Sequence, residues 1–432
     1  MQFIGSKMQS LTPSMSKIKN IWAREILDSR GIPTVETACL LDSGEVSVSS
    51  VPAGASTGRY EALELRDNDQ NRYQGQGVLK AVENVNKILG QAVIGYDVTD
   101  IFGIDKKLIS LDGNETKSKL GANALLSVSE AVVKAGASFQ KIPLYKWVNN
   151  LVNAVGFKAT VKIPTTLFNM INGGKHGAGN LDFQEFFIIP ASSKTYSNGL
   201  RAGVEIYHTI GENLKRKGAI HSVGDEGGFA PNLFTNADAL EVFVESVKET
   251  QYAIGRDVFL GLDVAATSFY KDGQYSIKDK PLPLDDTGLS EYYAEINNLY
   301  HLAVIEDPFY EDGWESWQKF TKIFGDQLLI VGDDLLATNI KRLEKAIVEK
   351  ACNGILVKPN QIGTITESLA VIKTAREAGW KIVISHRSGE TNDTFIADFA
   401  VGTGADYVKF GAPARGERVA KYNRLSSIEN EI

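Results

Sequence analysis

Between Ile18 and about Tyr60 the chain reads as short strands. IKNIWAREILD, TVETACLL and EVSVSSV are rich in β-branched residues and are punctuated by the turn-forming RGIP and DSG. The period then changes. Val78, Val82, Val85 and Leu89 recur at helical spacing, with Gly90 placed to end that helix. A second helix is expected from about Asn123 to Gln140, stopping before Pro143. Strands followed by helices predict an α+β unit over residues 18–155.

From residue 156 to 432 the rhythm is different. VFLGLD, LAVIED, LLIVGDD, GILVKPN, KIVISHR and ADYVKFG are short apolar runs, each closed by a polar or charged cluster. Continuous Val, Ile and Leu suit strands buried on both faces, as in a parallel sheet. Between two of them Ile340, Leu343 and Ile347 share one helical face, and Leu369, Ile372 and Ala375 do the same before Gly379. The residues following the runs are Asp263, Glu306, Asp333, Lys358, His386 and Lys409. From Glu306 onward they are 27, 25, 28 and 23 residues apart, the length of one βα unit. The expected fold class is α/β: a modified (β/α)8 TIM-like barrel at the C-terminus with a smaller α+β N-terminal domain. Such barrels carry their active groups at the C-terminal strand ends. A doubly wound open sheet gives no reason for chemistry-bearing residues at six successive strand ends.

Composition narrows the setting. With 43% apolar and 23% charged residues, 432 residues can bury a large core without covalent staples. Cys39 and Cys352 lie far apart, so no disulfide framework is expected, which suits a reducing, cytoplasmic compartment. A net charge of −7 leaves no nucleic-acid footprint. No apolar run is long enough for a membrane span, and no signal-peptide core is present. Residues 1–17, with Ser, Pro and Lys, read as a mobile tail.

Asp263, Glu306 and Asp333 would converge at one barrel mouth. Three carboxylates gathered without a cation raise one another's pKa, and an all-oxygen set favours Mg²⁺ over zinc. Each alone could equally cap a following helix; together they favour a metal site. A lone lysine is usually a solvated surface charge, but Lys358 directly follows the buried-looking run GILV. Near Mg²⁺ and a second cation, Lys409, its pKa would fall and it could act as a general base. Arg387 and Ser388 offer donors for a phosphate. VPAGASTGRYEALELRD, INGGKHGAGN and VGDEGGFAP place small residues around Ser56, His176 and Glu226 and read as lids over a small anion. In FQEFFIIP, Gln184 and Glu185 stand inside an apolar run, where an acid needs a partner. His208, His221 and His301 have no motif-like surroundings and read as structural.

Over residues 18 to 432 the chain resembles the enolase family. The resemblance is carried, in order, by AREILDSRG, GASTGRYEALELRD, NGGKHGAGNLDFQEF, GDEGGFAPN, GLDVAA, IEDP, VGDDL, KPNQIGT, SHRSGET and FGAPARGER. It implies reversible dehydration of 2-phospho-D-glycerate to phosphoenolpyruvate in glycolysis and gluconeogenesis, and a homodimer or larger homo-oligomer. It also implies two Mg²⁺ per site, the second arriving with substrate. By motif, Asp263, Glu306 and Asp333 match the metal ligands and Ser56 a lid residue reaching the second ion. Lys358 matches the base for the C2 proton, and Lys409 the lysine that binds the substrate carboxylate. Glu226, assisted by Glu185, matches the acid for the C3 hydroxyl. His176, Gln184 and His386 resemble substrate contacts, and Arg387 and Ser388 phosphate binders. A lysine base working with Mg²⁺ is the general pattern of enolase-superfamily sites rather than a deduction from this chain. Ile32, Ala53, Ser268 and Pro359, and the last strand ADYVKFG, depart from the usual family residues without removing a site group. The competing readings are another superfamily member, such as an acid-sugar dehydratase, and a non-catalytic binding protein on the same fold. The first would carry its lysine base at an early barrel strand, where this chain has GDEGGF. The second would erode the charged set.

Overall fold

The computed structural model describes residues 16–54, 58–177 and 179–432. It opens with β1 (Ile18–Leu27), β2 (Pro33–Leu41) and β3 (Val46–Ser50), an antiparallel sheet in that order. Val35, Thr37, Cys39 and Leu41 alternate along β2 and are fully buried, which fixes the inward face of the sheet. Ser16 and Lys17, counted with the expected tail, are held against this unit. Ser16 is already buried and donates to Asp42 at 2.7 Å, and Lys17 bridges to Asp97. Residues before it lie outside the described ones.

The helices of this unit are α1 (Leu79–Asn84), α2 (Gly90–Val93), α3 (Ile101–Asp112), α4 (Ala122–Gln140) and α5 (Leu144–Ala154). A π-helical turn, Val85–Leu89, joins α1 to α2, so the helix runs through Gly90 instead of ending there. The reason is packing. Gly90 has ordinary helical dihedrals, and a Cβ on it would come 3.1 Å from Ile21 of β1. This glycine serves close approach rather than a left-handed cap. In α4 nearly every residue from Ala122 to Ala137 is buried, as expected of a helix covered on all sides.

The second unit contains β4 (Thr165–Thr166), β5 (Phe168–Asn172), β6 (Glu185–Pro190), β7 (Val258–Asp263), a small hairpin of β8 (Tyr270–Lys271) and β9 (Gln274–Tyr275), then β10 (Leu302–Glu306), β11 (Leu329–Gly332), β12 (Gly354–Val357), β13 (Lys381–Ser385) and β14 (Tyr407–Lys409). Its helices are α6 (Tyr196–Arg216), α7 (Asn236–Lys248), α8 (Asp286–Tyr300), α9 (Trp314–Phe324), α10 (Ile340–Glu349), α11 (Ile365–Glu377), α12 (Phe395–Gly402) and α13 (Gly416–Glu429). The strand order is β4-β14-β13-β12-β11-β10-β7-β6-β5. Only Leu167 separates β4 from β5 in the chain, yet they end the two edges, so the sheet is a nearly closed barrel. Leu167, Phe187, Ile189, Val304, Val331, Leu356 and Val383 form its own apolar cluster. All neighbouring pairs are parallel except those made by β6. That reversal brings the first residue of β6 to the rim where the other strands end. No described helix is long and apolar enough to cross a membrane.

Polar contacts join the two units. Asp105 accepts from Thr366 at 2.9 and 2.6 Å, Lys117 pairs with Glu367 at 2.8 Å, and Ser129 Oγ accepts from Ile365 N at 3.0 Å. Buried Glu130 accepts from Ser49 at 2.7 Å, while neighbouring Asp393 holds Lys134 at 2.5 Å. Burial, reinforced by the charge of Asp393, pushes the Glu130 carboxyl from near 4.5 up to about 8. Folding therefore takes up a proton there above pH 4.5, and the stability it brings is lost as pH rises toward 8. Glu130→Gln keeps an acceptor for Ser49 without an ionisable group. Thermal melts should show the variant equal to the parent at pH 5 and more stable at pH 8, by roughly 1–3 kcal/mol. Equal pH dependence of both melts would show that Glu130 does not titrate in this range.

Candidate active site

Strand register assembles the acidic row. Glu185 opens β6 opposite Asp263, which closes β7, and Asp263 is opposite Glu306, which closes β10. Adjacent strands lie about 4.8 Å apart, so three carboxylates stand side by side with no apolar spacer. All three are buried. Such a row needs positive charge. Lys409, at the end of β14, supplies it: its Nζ lies 2.9 Å from Asp263, 2.9 and 3.1 Å from Glu306, and 3.3 Å from Glu185. Burial opposes the lysine charge, but Asp263, Glu185 and Glu306 together hold it well above the usual lysine range. Burial and the charge of Asp263 raise Glu306 well above the carboxylate range. Gln184 donates to Asp263 at 3.1 Å.

Asp333 follows β11 and takes the other lysine. Lys358 Nζ donates to its Oδ2 at 2.6 Å, and Gln361 donates to its Oδ1 at 3.3 Å. Lys358 leaves β12 in extended backbone, and Pro359 starts the short 3-10 turn behind it. A proline suits that position and keeps the residue before it extended, so this departure from the family residue is compatible with the lysine's placement. The fall expected of the Lys358 pKa belongs to a lysine beside Mg²⁺; the protein's own groups act in the other direction. Burial lowers it, but the Asp333 carboxylate, helped by Glu306, leaves it raised on balance.

Asp307 and Asp334, not singled out from the sequence, also belong here. Asp307 accepts from the backbone N–H of Asp333 at 2.9 Å and of Asp334 at 2.7 Å, and so fixes the loop that carries Asp333. Its own φ is +44°, and that of Ala265 after β7 is +46°, both in the region unfavourable for side chains. The doubled acids of IEDP and VGDD were the signal for them. Among the described residues, ligand atoms within 4.8 Å of one another occur in Asp307, Asp333 and Asp334, and in His176, Glu185 and Glu226. Of the three carboxylates expected as metal ligands, Asp333 is thus in one such group, while Asp263 and Glu306 close on Lys409. Asp263 Oδ1 is buried without a hydrogen-bond partner. An orphan carboxylate oxygen in an all-oxygen, anion-rich pocket fits a hard divalent cation.

The second cluster centres on Glu226. Its Oε1 accepts from Ser388 at 2.8 Å, its Oε2 accepts from Asn169 at 3.2 Å, and His386 Nε2 is 3.3 Å from Oε2. His176 Nδ1 lies 3.0 Å from Glu185 and 3.5 Å from Glu226. Burial favours neutral Glu226, yet the charge of His176 and the neighbouring donors hold it well below the carboxylate range. Glu185 goes the other way. Burial and the negative charge of Glu226 push it up to about 7. The surroundings therefore favour charge on Glu226 over charge on Glu185. Arg387 pairs with Glu61 at 2.9 Å and donates to Asn360 at 3.0 Å, so the N-terminal unit reaches into the site through Glu61. The motif YEALELRD held that residue without marking it.

Lys358, Lys409, Glu185, Glu226 and Asp333 line one cavity of about 70 Å³, together with His176, Gln184, His386, Arg387 and Ser388. Asp263 and Glu306 stand behind Lys409, and Ser56 lies outside the described residues. The cavity walls hold paired acids, two lysines and an arginine within a few ångströms, the equipment for moving a proton beside a small anion. Residues 18–148 match the family described as Enolase, N-terminal domain. Residues 160–432 match that described as Enolase, C-terminal TIM barrel domain. Since the second match alone spans more than half of a chain whose barrel rim carries this acid–lysine cluster, the chain belongs to the enolase family.

Proposed function

We propose that this protein is a magnesium-dependent hydro-lyase that interconverts 2-phospho-D-glycerate and phosphoenolpyruvate. The observation that carries it is the pair of distinct proton sites on one cavity: Lys358 beside Asp333, and Glu226 with Glu185 beside His176. A dehydration α to a carboxylate needs both. The C2 hydrogen leaves as a proton, generating an ene-diolate, and the C3 hydroxyl departs as water only if a proton reaches it.

Asp263, Glu306 and Asp333 would hold Mg²⁺, which supplies charge neutralisation for the ene-diolate oxygens. Lys358 accepts the C2 proton on Nζ once the Asp333 charge that now keeps it protonated is engaged elsewhere. Lys409, released from the same acids, pairs with the substrate carboxylate. Arg387 exchanges Glu61 for the phosphate, a bidentate acceptor of like charge. Glu185, the more readily protonated of the two, is linked to Glu226 through His176, so the two acids act as a shared donor to the leaving hydroxyl.

Turnover is read directly. Purified protein given 2-phosphoglycerate and Mg²⁺ should develop the ultraviolet absorbance of the enol phosphate. EDTA should abolish the signal and excess Mg²⁺ restore it. Turnover that persists through exhaustive chelation, or none with Mg²⁺ present, would overturn the reading. An acid-sugar dehydratase would instead turn over sugar acids, and a binding protein nothing.

A further inference from the structure

We propose that Arg418 is a positioning residue that locks His386 in its neutral Nε2–H tautomer and clamps the Glu226 loop to the His386–Ser388 loop. Arg418 belongs to the first turn of α13 and is completely buried. Its Nη1 lies 2.5 Å from His386 Nδ1 and donates to Arg387 O at 2.7 Å. Its Nη2 donates to Ser388 O at 2.5 Å and to Asp225 O at 3.0 Å. Nε faces Glu417 at 3.3 Å.

The tautomer follows from the donor inventory. A guanidinium has N–H groups only and cannot accept, so the His386 nitrogen facing it must present a lone pair. The ring proton is then on Nε2, directed at Glu226 3.3 Å away. Burial and the adjacent Arg418 charge oppose protonation of the ring despite Glu226, and its pKa falls to about 3. The other titratable group facing it is Lys409, also positive, which acts in the same direction. His386 is therefore a fixed neutral donor to Glu226, not a proton carrier.

The clamp has the same source. Three carbonyls from two separate loops converge on one planar fork, and only arginine offers enough donors in fixed directions. Gly411 leaves the space. At φ +87° it approaches so closely that a Cβ would stand 2.6 Å from Glu226 O and 3.1 Å from both Arg418 Cδ and His386 Cε1. The tautomer stands on this geometry alone. Its consequence for rate rests on the hydro-lyase reading.

The test uses the full chain with ¹⁵N-labelled histidine, whose five residues keep the long-range ¹H–¹⁵N spectrum tractable. The His386 signals are those absent from His386→Gln. They should show a protonated Nε2 and an unprotonated Nδ1 from pH 5.5 to 8.5. A protonated Nδ1 anywhere in that window overturns the proposal, whether or not the protein turns over substrate. Arg418→Lys keeps the charge and loses the fork. A folded variant should show mixed tautomers and lose at least tenfold in kcat, with KM within about threefold. Guanidinium added to Arg418→Ala should restore part of the rate and the single tautomer. A folded Arg418→Lys with the parent tautomer and kcat would overturn it, and if neither variant folds the parent spectrum decides alone.

Discussion

Replacing Lys358 by alanine is expected to abolish hydrogen–deuterium exchange at C2 of 2-phosphoglycerate and to lower kcat by about 10⁴-fold, the upper end for loss of one general base. The size follows from the acidity involved. A hydrogen next to a carboxylate is among the weakest carbon acids an enzyme removes, so no water molecule can replace the amine at neutral pH. KM should change little, because the proposed mechanism gives the substrate charges to Arg387 and Lys409. The single variant also takes from Asp333 its closest cation, and a buried carboxylate that loses its ion-pair partner costs stability. Circular dichroism must therefore accompany the kinetics. Lys358→Arg separates the two effects. It keeps a cation beside Asp333 but cannot deprotonate, so it should fold like the parent and exchange like the alanine variant. Normal dehydration in either variant would remove Lys358 from the base role.

Much of this site was legible because its geometry is that of strand ends. Runs such as VFLGLD and LAVIED are buried on both faces, so the first charged or polar residue that ends the run marks the rim. Asp263, Glu306, Asp333, Lys358, His386 and Lys409 were found that way, and the structure sets all of them at one end of one sheet. Apart from the family resemblance, Glu185 was recognised only as an acid in an apolar run. Its place beside Asp263 depends on β6 running backwards, and the direction of a strand leaves no trace in local periodicity. Gly90 misled for a similar reason: a glycine that ends a helix and one that admits a neighbouring strand look alike in sequence. Electrostatics were least legible. Nothing in the spacing shows that Lys358 would be claimed by Asp333 and Lys409 by Asp263 and Glu306, because those pairings depend on side-chain reach across the barrel mouth. Arg418 was part of a quoted motif, FGAPARGER, yet its contacts are mostly backbone carbonyls, which every residue possesses.

Glu226→Gln should divide the reaction in two. C2 exchange should persist, at a reduced rate, while dehydration falls by about 10³-fold, within the range for loss of a positioned acid. The division follows because Lys358 is paired with Asp333 and has no contact with Glu226, so the amide leaves the base untouched. The amide oxygen can still accept from Ser388, but its NH2 replaces the acceptor that Asn169 uses, and it gives no proton to the departing hydroxyl. Its effect on Glu185 is a separate check. The negative charge of Glu226 is, after burial, the main reason Glu185 is pushed up to about 7. Removing that charge leaves Lys409 and His176 to favour ionised Glu185, so its pKa falls and the proton the pair shares is lost as well. Whatever dehydration remains should therefore decline at lower pH values than in the parent. Since an acid with a lowered pKa is deprotonated earlier as pH rises, the basic limb of the kcat profile moves down. A variant that loses exchange and dehydration equally would place Glu226 in the first proton transfer instead of the second. One that dehydrates at the parent rate would leave Glu185 as the acid on its own.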